Sequence, residues 1–241
     1  MKPAATAQTS PPTTWITLLA ASSLAVAGAA MWVVPADVQA FIGLPTADIP
    51  ANLYMRQVGA WQLVATFCLL AGAQGASPAA STALISSAVA VLASIPINEY
   101  FERSKPEAIQ GVLIFSSLGM LTATRRLGPR VAAGLVSFLG LLIHLTPVDT
   151  ATLYSIAPDM ASPLLYSMIS AMGATTFLSG LYVGCLAAGL VQARALALTM
   201  LANAAFATKF AFIDAEALGA PKTVPLAWSV VHVLIAALAL K

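Results

Sequence analysis

Eight apolar runs follow one another along this chain, with little between them. They are Trp15–Val34, Leu53–Ala73, Ala79–Ile97, Ala108–Ala123, Val131–Leu145, Leu164–Leu186, Ala195–Ala211 and Val224–Leu240, each bounded by Pro, Gly or charge. A helix needs about 20 mostly apolar residues to cross a bilayer core. These runs and their connections consume nearly all of the 241 residues, so little remains for an extramembrane domain. None alternates polar and apolar residues with period two, which argues against a membrane barrel. In hydrocarbon the backbone must satisfy its own hydrogen bonds, so the runs predict helices. Composition points the same way. The chain is 59% hydrophobic and 8% charged, where a soluble domain is about 25% charged. A soluble globule, a disordered chain and a nucleic-acid binder are thereby excluded. The net charge of +2 is too small to mark a polyanionic partner.

Charge sets the threading. With the N-terminus on side A, eight spans place Lys2, Arg125, Arg126, Arg130, Arg194 and Lys241 on that side. Side B receives Arg56, Arg103, Lys105, Lys209 and Lys222, together with all nine carboxylates. Basic residues favour the cytoplasmic face. Both termini are therefore expected on the cytoplasmic side or its organellar equivalent, in a membrane that the sequence does not name. Ala25-Val26-Ala27 has the form of a signal-peptidase site. The first run nevertheless has a counterpart later in the chain and is read as a span.

That counterpart belongs to an internal repeat. Val34-Pro35-Ala36-Asp37 matches Thr146-Pro147-Val148-Asp149, and Leu53-Tyr54 matches Leu165-Tyr166. Val58-Gly59-Ala60 matches Met172-Gly173-Ala174, Glu99 matches Asp214 and Pro106 matches Pro221. The expected fold is all-α and polytopic, with about eight transmembrane helices in two parallel four-helix repeats. Residues 1–14 form a polar tail, 15–126 the first repeat and 127–241 the second. Four spans per copy give both copies one orientation, unlike the inverted repeats of many transporters.

Arg56-Gln57-Val58-Gly59-Ala60, with Leu63 following, places an arginine at the entry to a second helix, then Gly and a small, apolar face. This pattern resembles the DoxX-like four-helix membrane family. The resemblance covers the first half, since Ser170-Ala171-Met172-Gly173-Ala174 lacks the arginine. It implies one four-helix bundle per half, in a family some of whose members accompany quinone- or thiol-linked membrane oxidoreductases. A fainter likeness is to emopamil-binding-protein-like sterol isomerases, also small helical bundles.

Ionisable groups inside a membrane are costly, roughly 2.5–3.5 kcal/mol on insertion scales, and this chain nearly avoids them. The exceptions gather near side B. Asp37, Arg56 and Glu99 are candidates for one polar mouth, and Asp149, Lys209 and Asp214 for its counterpart. Such mouths would orient a ligand head group or move a proton; otherwise they are salt bridges that pin helix ends. Lys209, about one turn inside the boundary, should take a carboxylate or snorkel outward. If the chain is an enzyme, Glu99 and Asp214 are its acid–base candidates. His144 and His232 are the intramembrane imidazoles, ligands for a pigment at most and more simply partners of neighbouring helices. Cys68 and Cys185 stand far apart in apolar runs, so no metal site is read from them, and no cofactor is named. Small residues at helix-packing spacing, Ala21/Ala25/Ala29 and Gly180/Gly184, read as bundle packing. Pro35–Asn52 and Val148–Ser162 suggest short interfacial helices or lids.

Three functions fit. The first is a non-catalytic membrane protein, either an accessory subunit of a larger membrane complex or a binder of a lipid-like molecule. The second is a membrane isomerase, cyclase or quinone-linked oxidoreductase acting on a hydrophobic small molecule. A transporter is third, disfavoured by the dry spans.

Overall fold

A computed structural model describes residues 11–46, 49–82, 85, 106–153, 156 and 161–241. No strand occurs among them. The helices are α1 Pro11–Val33, α2 Pro35–Phe41, α3 Ile49–Ala73, α4 Pro106–Ala123, α5 Pro129–Leu145, α6 Pro147–Leu153, α7 Pro163–Ala187, α8 Gln192–Lys209 and α9 Thr223–Ala239. A π-turn, Phe210–Asp214, and a short turn, Ala215–Ala217, extend α8.

Proline punctuates this order. Pro at the first helical position gives up a donor that has no partner there anyway, and it disfavours helix in the residue before it. Val34, before Pro35, leaves the helical region at φ −129, ψ 58. Thr146, before Pro147, does so at φ −125, ψ 57. At the second break the chain turns through 102° from α5 into α6. Each of the two long side-B loops thus opens with a seven-residue helix, α2 or α6. Ser162 caps α7 by accepting from Leu165 N at 3.0 Å.

Three described helices are long and apolar enough to cross a membrane: Trp15–Val33, Pro163–Ala187 and the α8 extension, Gln192–Ala217. The bent α5–α6 pair makes a fourth if it counts as one span. They mark an integral membrane protein; among the described residues, fewer helices meet this length and apolarity than the eight runs expected. The physical reasons are local. In α3 the apolar content is diluted by Arg56, Gln57 and Gln62. Helices α5 and α9 are 17 residues each, about 26 Å at 1.5 Å per residue. Most of the third apolar run lies outside the described residues. Phe67, Ile114, Phe138, Phe212, Val230 and Leu234 are exposed apolar side chains, as a lipid-facing surface requires.

Close helix approaches hold the bundle. Helices α1 and α3 cross where Gly28 faces Gly59, and a Cβ on either would come within 2.8 or 2.6 Å of the other's carbonyl oxygen. Helices α5 and α7 cross in the same way at Gly140 and Gly173, with corresponding distances of 2.8 and 2.7 Å. Gly180 lies on Ser137 and Ala133 of α5. The Ala21/Ala25/Ala29 stripe is only partly buried, and Gly28 makes the tight approach instead. Helix α3 also packs on α7, where Gly72 faces the Tyr182 hydroxyl. Helix α8 packs between α7 and α9. At one end of the bundle Gln192 reaches Thr17 and Arg130 Nε donates to Ala187 O. At the other, Gly43 abuts Pro221.

Candidate functional site

Two polar assemblies stand out. The first lies at the Pro221 end, where α8 runs into the π-turn. A π-turn adds one residue to the helical repeat and is frequent at functional positions. Here it lays Asp214 over Lys209, five residues earlier. Lys209 Nζ donates to Asp214 Oδ2 at 2.8 Å and Oδ1 at 3.1 Å, and to Ser170 Oγ at 3.3 Å. An ammonium has three donors, so all of them are engaged. Ser167 Oγ lies 3.5 Å from Asp214 Oδ1. Ser170 Oγ donates to the His144 carbonyl at 3.1 Å, and His144 Nδ1 is 3.0 Å from both the oxygen of Ser170's carbonyl and its Oγ. With its proton on Nδ1, His144 ties α5 to α7. Its ring also meets Phe206 edge-on at 4.6 Å. The pair is half sheltered: the Lys209 side chain is 32% exposed and that of Asp214 14%.

The other sequence candidates do not join this cluster. Asp149, in the first turn of α6, is exposed and forms no ion pair with Lys209. Asp37 and Arg56 are both exposed and form no salt bridge with each other. An exposed pair of this kind would add little stability in any case. Glu99 lies outside the described residues. Lys222 pairs instead with Glu216 at 2.5 Å on the exposed surface.

The second assembly lies midway along the helices, and the sequence reading passed over it. A narrow cleft between α1, α3, α7 and α8 holds about 410 Å³ of unfilled space, counting its open mouth. Leu24, Leu69 and Met200 supply apolar wall; Gln62, Thr175, Ser179, Tyr182, Thr199 and Asn203 supply polar groups. None of these is charged. The signal was the spacing: Thr175/Ser179 and Thr199/Asn203 are each four apart, a single helical face. Three hydroxyls turn inward on their own helices. Thr175 donates to Met172 O at 2.9 Å, Ser179 to Thr175 O at 3.1 Å and Thr199 to Ala195 O at 2.8 Å. Behind the cleft, fully buried His232 gives Nδ1–H to Trp228 O at 2.8 Å, which leaves Nε2 to accept from Asn203 Nδ2 at 3.1 Å.

Gln62 Oε1 is buried with no hydrogen-bond partner. Tyr182 Oη is likewise buried, close to the Gln192 side chain. Orphaned buried polar atoms cost about 1–3 kcal/mol each; the cleft carries two of them, and Gln39 and Gln57, in α2 and α3, carry others outside it. Among the described residues, no three His, Cys, Asp or Glu side chains gather where a metal ion could be held. His144 and His232 each spend Nδ1 on a backbone carbonyl of the bundle. No family model, no curated protein and no solved structure matches the chain.

Proposed function

We propose that this integral membrane protein binds a lipid-like molecule in the cleft between its helices and does no chemistry on it, alone or as an accessory subunit of a larger complex. The observation that carries the reading is the cleft itself, mid-helix, apolar-walled and uncharged, with unsatisfied polar atoms on its lining. Against an isomerase, cyclase or oxidoreductase stands the Lys209–Asp214 pair, whose ammonium has no free donor and whose two carboxylate oxygens are both engaged. A general acid or base must reach the substrate proton. Gentle detergent extraction followed by native mass spectrometry should find the protein carrying about one apolar molecule per chain. The same adduct should survive the paired change Lys209→Met with Asp214→Leu, which leaves the cleft intact. Protein that leaves the membrane with nothing bound would refute the reading.

The finer architecture belongs to the same proposal: eight spans in two parallel repeats, the first of them DoxX-like, with both termini cytoplasmic. Two observations support a duplication. The kinks at Val34 and Thr146 have nearly the same dihedral angles. The Gly28–Gly59 and Gly140–Gly173 crossings recur at matching positions, between the long helix before each kink and the 25-residue helix after it. In the sequence match, Ser170 stands at the position of Arg56, so the second half closes with a serine–histidine link where the first presents an exposed arginine. A reporter fused after Lys241 is expected to read as cytoplasmic; activity on the opposite face would overturn this orientation.

A further inference from the structure

We propose that the turn between α4 and α5 binds the headgroup of an anionic glycerophospholipid, whose chains lie along the exposed face of α5; this site is separate from the cleft. Charge is the first argument. Gln192–Thr17 and Arg130–Ala187 mark one end of the bundle. The described charged side chains at that end are Arg125, Arg126, Arg130, Arg194 and Lys241, all cations and all exposed. None has a carboxylate partner among the described residues, where the salt bridges, Lys209–Asp214 and Lys222–Glu216, lie at the other end. Arg125, Arg126 and Arg130 crowd into the one turn. Arg130 donates its Nε to Ala187 O, which fixes the guanidinium and leaves its terminal amino groups for a ligand. Arginine's planar fork suits a phosphate. The first turn of α5 adds backbone donors. Its N-cap, Gly128, supplies no side-chain cap, and no atom lies within 4 Å of the place a Cβ would take. An anion there would meet free N–H groups and the positive end of the helix.

The second argument is the backbone of the turn. Arg125, at φ 58, is the one non-glycine with a left-handed backbone among the described residues. Gly43, Gly75, Gly189 and Gly219 are the others, each two residues past the end of its helix, as Arg125 is past α4. Glycine is the residue such helix ends favour. Here an arginine stands in its place at a steric cost, and strain of this kind is kept where a ligand is held. The third argument is the surface beside the turn. Val131, Leu135, Phe138, Leu142 and Leu145 recur in steps of four and three and are exposed, one face of α5. The buried face, Ala132, Ala133, Val136, Gly140 and His144, packs on α7. From Val131 to Leu142 is about 16 Å of helix, one leaflet of a hydrocarbon core about 30 Å thick. The stripe begins one residue after Arg130, so a single lipid meets cations at its head and apolar side chains along its tails. A soluble phosphate gains nothing from that stripe.

The full chain, stripped of lipid in detergent, is titrated with dioleoyl phosphatidylglycerol and with dioleoyl phosphatidylcholine, which share chains and differ in net charge. Native mass spectrometry counts the lipids bound. The expected result is one phosphatidylglycerol per chain, bound about tenfold or more tightly than phosphatidylcholine, since a basic residue at a membrane surface is worth about fivefold in affinity for anionic lipid. Arg125→Gln with Arg126→Gln should weaken phosphatidylglycerol roughly twentyfold and leave phosphatidylcholine unchanged. Arg194→Gln with Lys241→Gln removes the same charge from the same end and should leave both lipids nearly unchanged. Arg125→Gly should weaken phosphatidylglycerol about fivefold with no loss of thermal stability, because glycine accepts the left-handed backbone. Equal binding of the two lipids would overturn the proposal. So would equal losses in the two double variants, which would reduce the effect to the diffuse field of the basic end. Inorganic phosphate that displaces the lipid as effectively as phosphatidylglycerol itself would make this a phosphate site and overturn the lipid assignment.

Discussion

Gly173→Leu is expected to abolish recovery of folded protein from the membrane, and Gly173→Ala to lower its stability by about 1–3 kcal/mol. A Cβ at Gly173 would overlap the His144 backbone nitrogen, stand 2.9 Å from His144 Cα and reach within 2.7 Å of Gly140 O. These are backbone atoms, so no side-chain rotation relieves the conflict and the helices must move apart. That movement would also part Ser170 from His144, whose contacts of 3.0–3.1 Å depend on the close crossing. Gly59→Ala should behave similarly in the first half, because its Cβ would lie 2.6 Å from Gly28 O and 2.8 Å from Trp32 N. Gly184→Ala is the internal control. It is a small residue of the same α7 face, but its Cβ would rest at an ordinary 3.6 Å from Ala133 Cβ. Denaturant titration in mixed micelles, with the monodisperse fraction after extraction as second readout, separates these cases. Equal stability of the Gly173→Ala and Gly184→Ala variants would mean that the crossing does not depend on backbone contact.

What could be read from the sequence follows the range of the interactions involved. Breaks at Pro35, Pro129, Pro147 and Pro163 are local steric events, and a missing N–H marks them wherever the fold places them. The helical class follows from apolar runs without alternation. Fewer described helices are long and apolar enough to cross a membrane than there are apolar runs, because run length takes no account of interior polarity: Gln57 and Gln62 stand inside an otherwise apolar α3. The 102° turn at Pro147 follows from the proline, but its angle is set by packing against α7. The Lys209–Asp214 pairing was within reach of the sequence as two charges near one boundary. Their separation of five residues suits a π-turn rather than an α-helix, and nothing in Phe-Ala-Phe-Ile-Asp announces that turn. His144–Ser170 and Asn203–His232 arise from helix crossings between residues 26 and 29 positions apart. The cleft escaped notice because attention went to charge. Uncharged amides and hydroxyls at four-residue spacing inside apolar runs were the signal.

Asp214→Leu alone should destabilise the protein more than Asp214→Leu combined with Lys209→Met, a reversal of simple additivity. The single change strands a half-sheltered ammonium at the end of a membrane-capable helix, with Ser170 Oγ as its one remaining partner. Stranding one member of a fully buried pair costs about 3–5 kcal/mol. Here Lys209 keeps partial access to the boundary, so about 1–3 kcal/mol is the reasonable range after screening. Removing both charges replaces a desolvated pair by apolar packing, which is often neutral or stabilising. The double variant should therefore return close to the parent, and the coupling in a double-mutant cycle should favour the pair by about 1 kcal/mol or more. The cycle also separates the two functional readings. If the pair only closes the end of α8 against α7, the double variant stays folded and keeps its bound molecule. If Asp214 moves a proton for catalysis, the double variant stays folded while turnover of the bound molecule, measurable in the parent, disappears. That second outcome would restore the enzyme reading, and it would require the hydrogen bonds that now saturate Lys209 to open during the reaction.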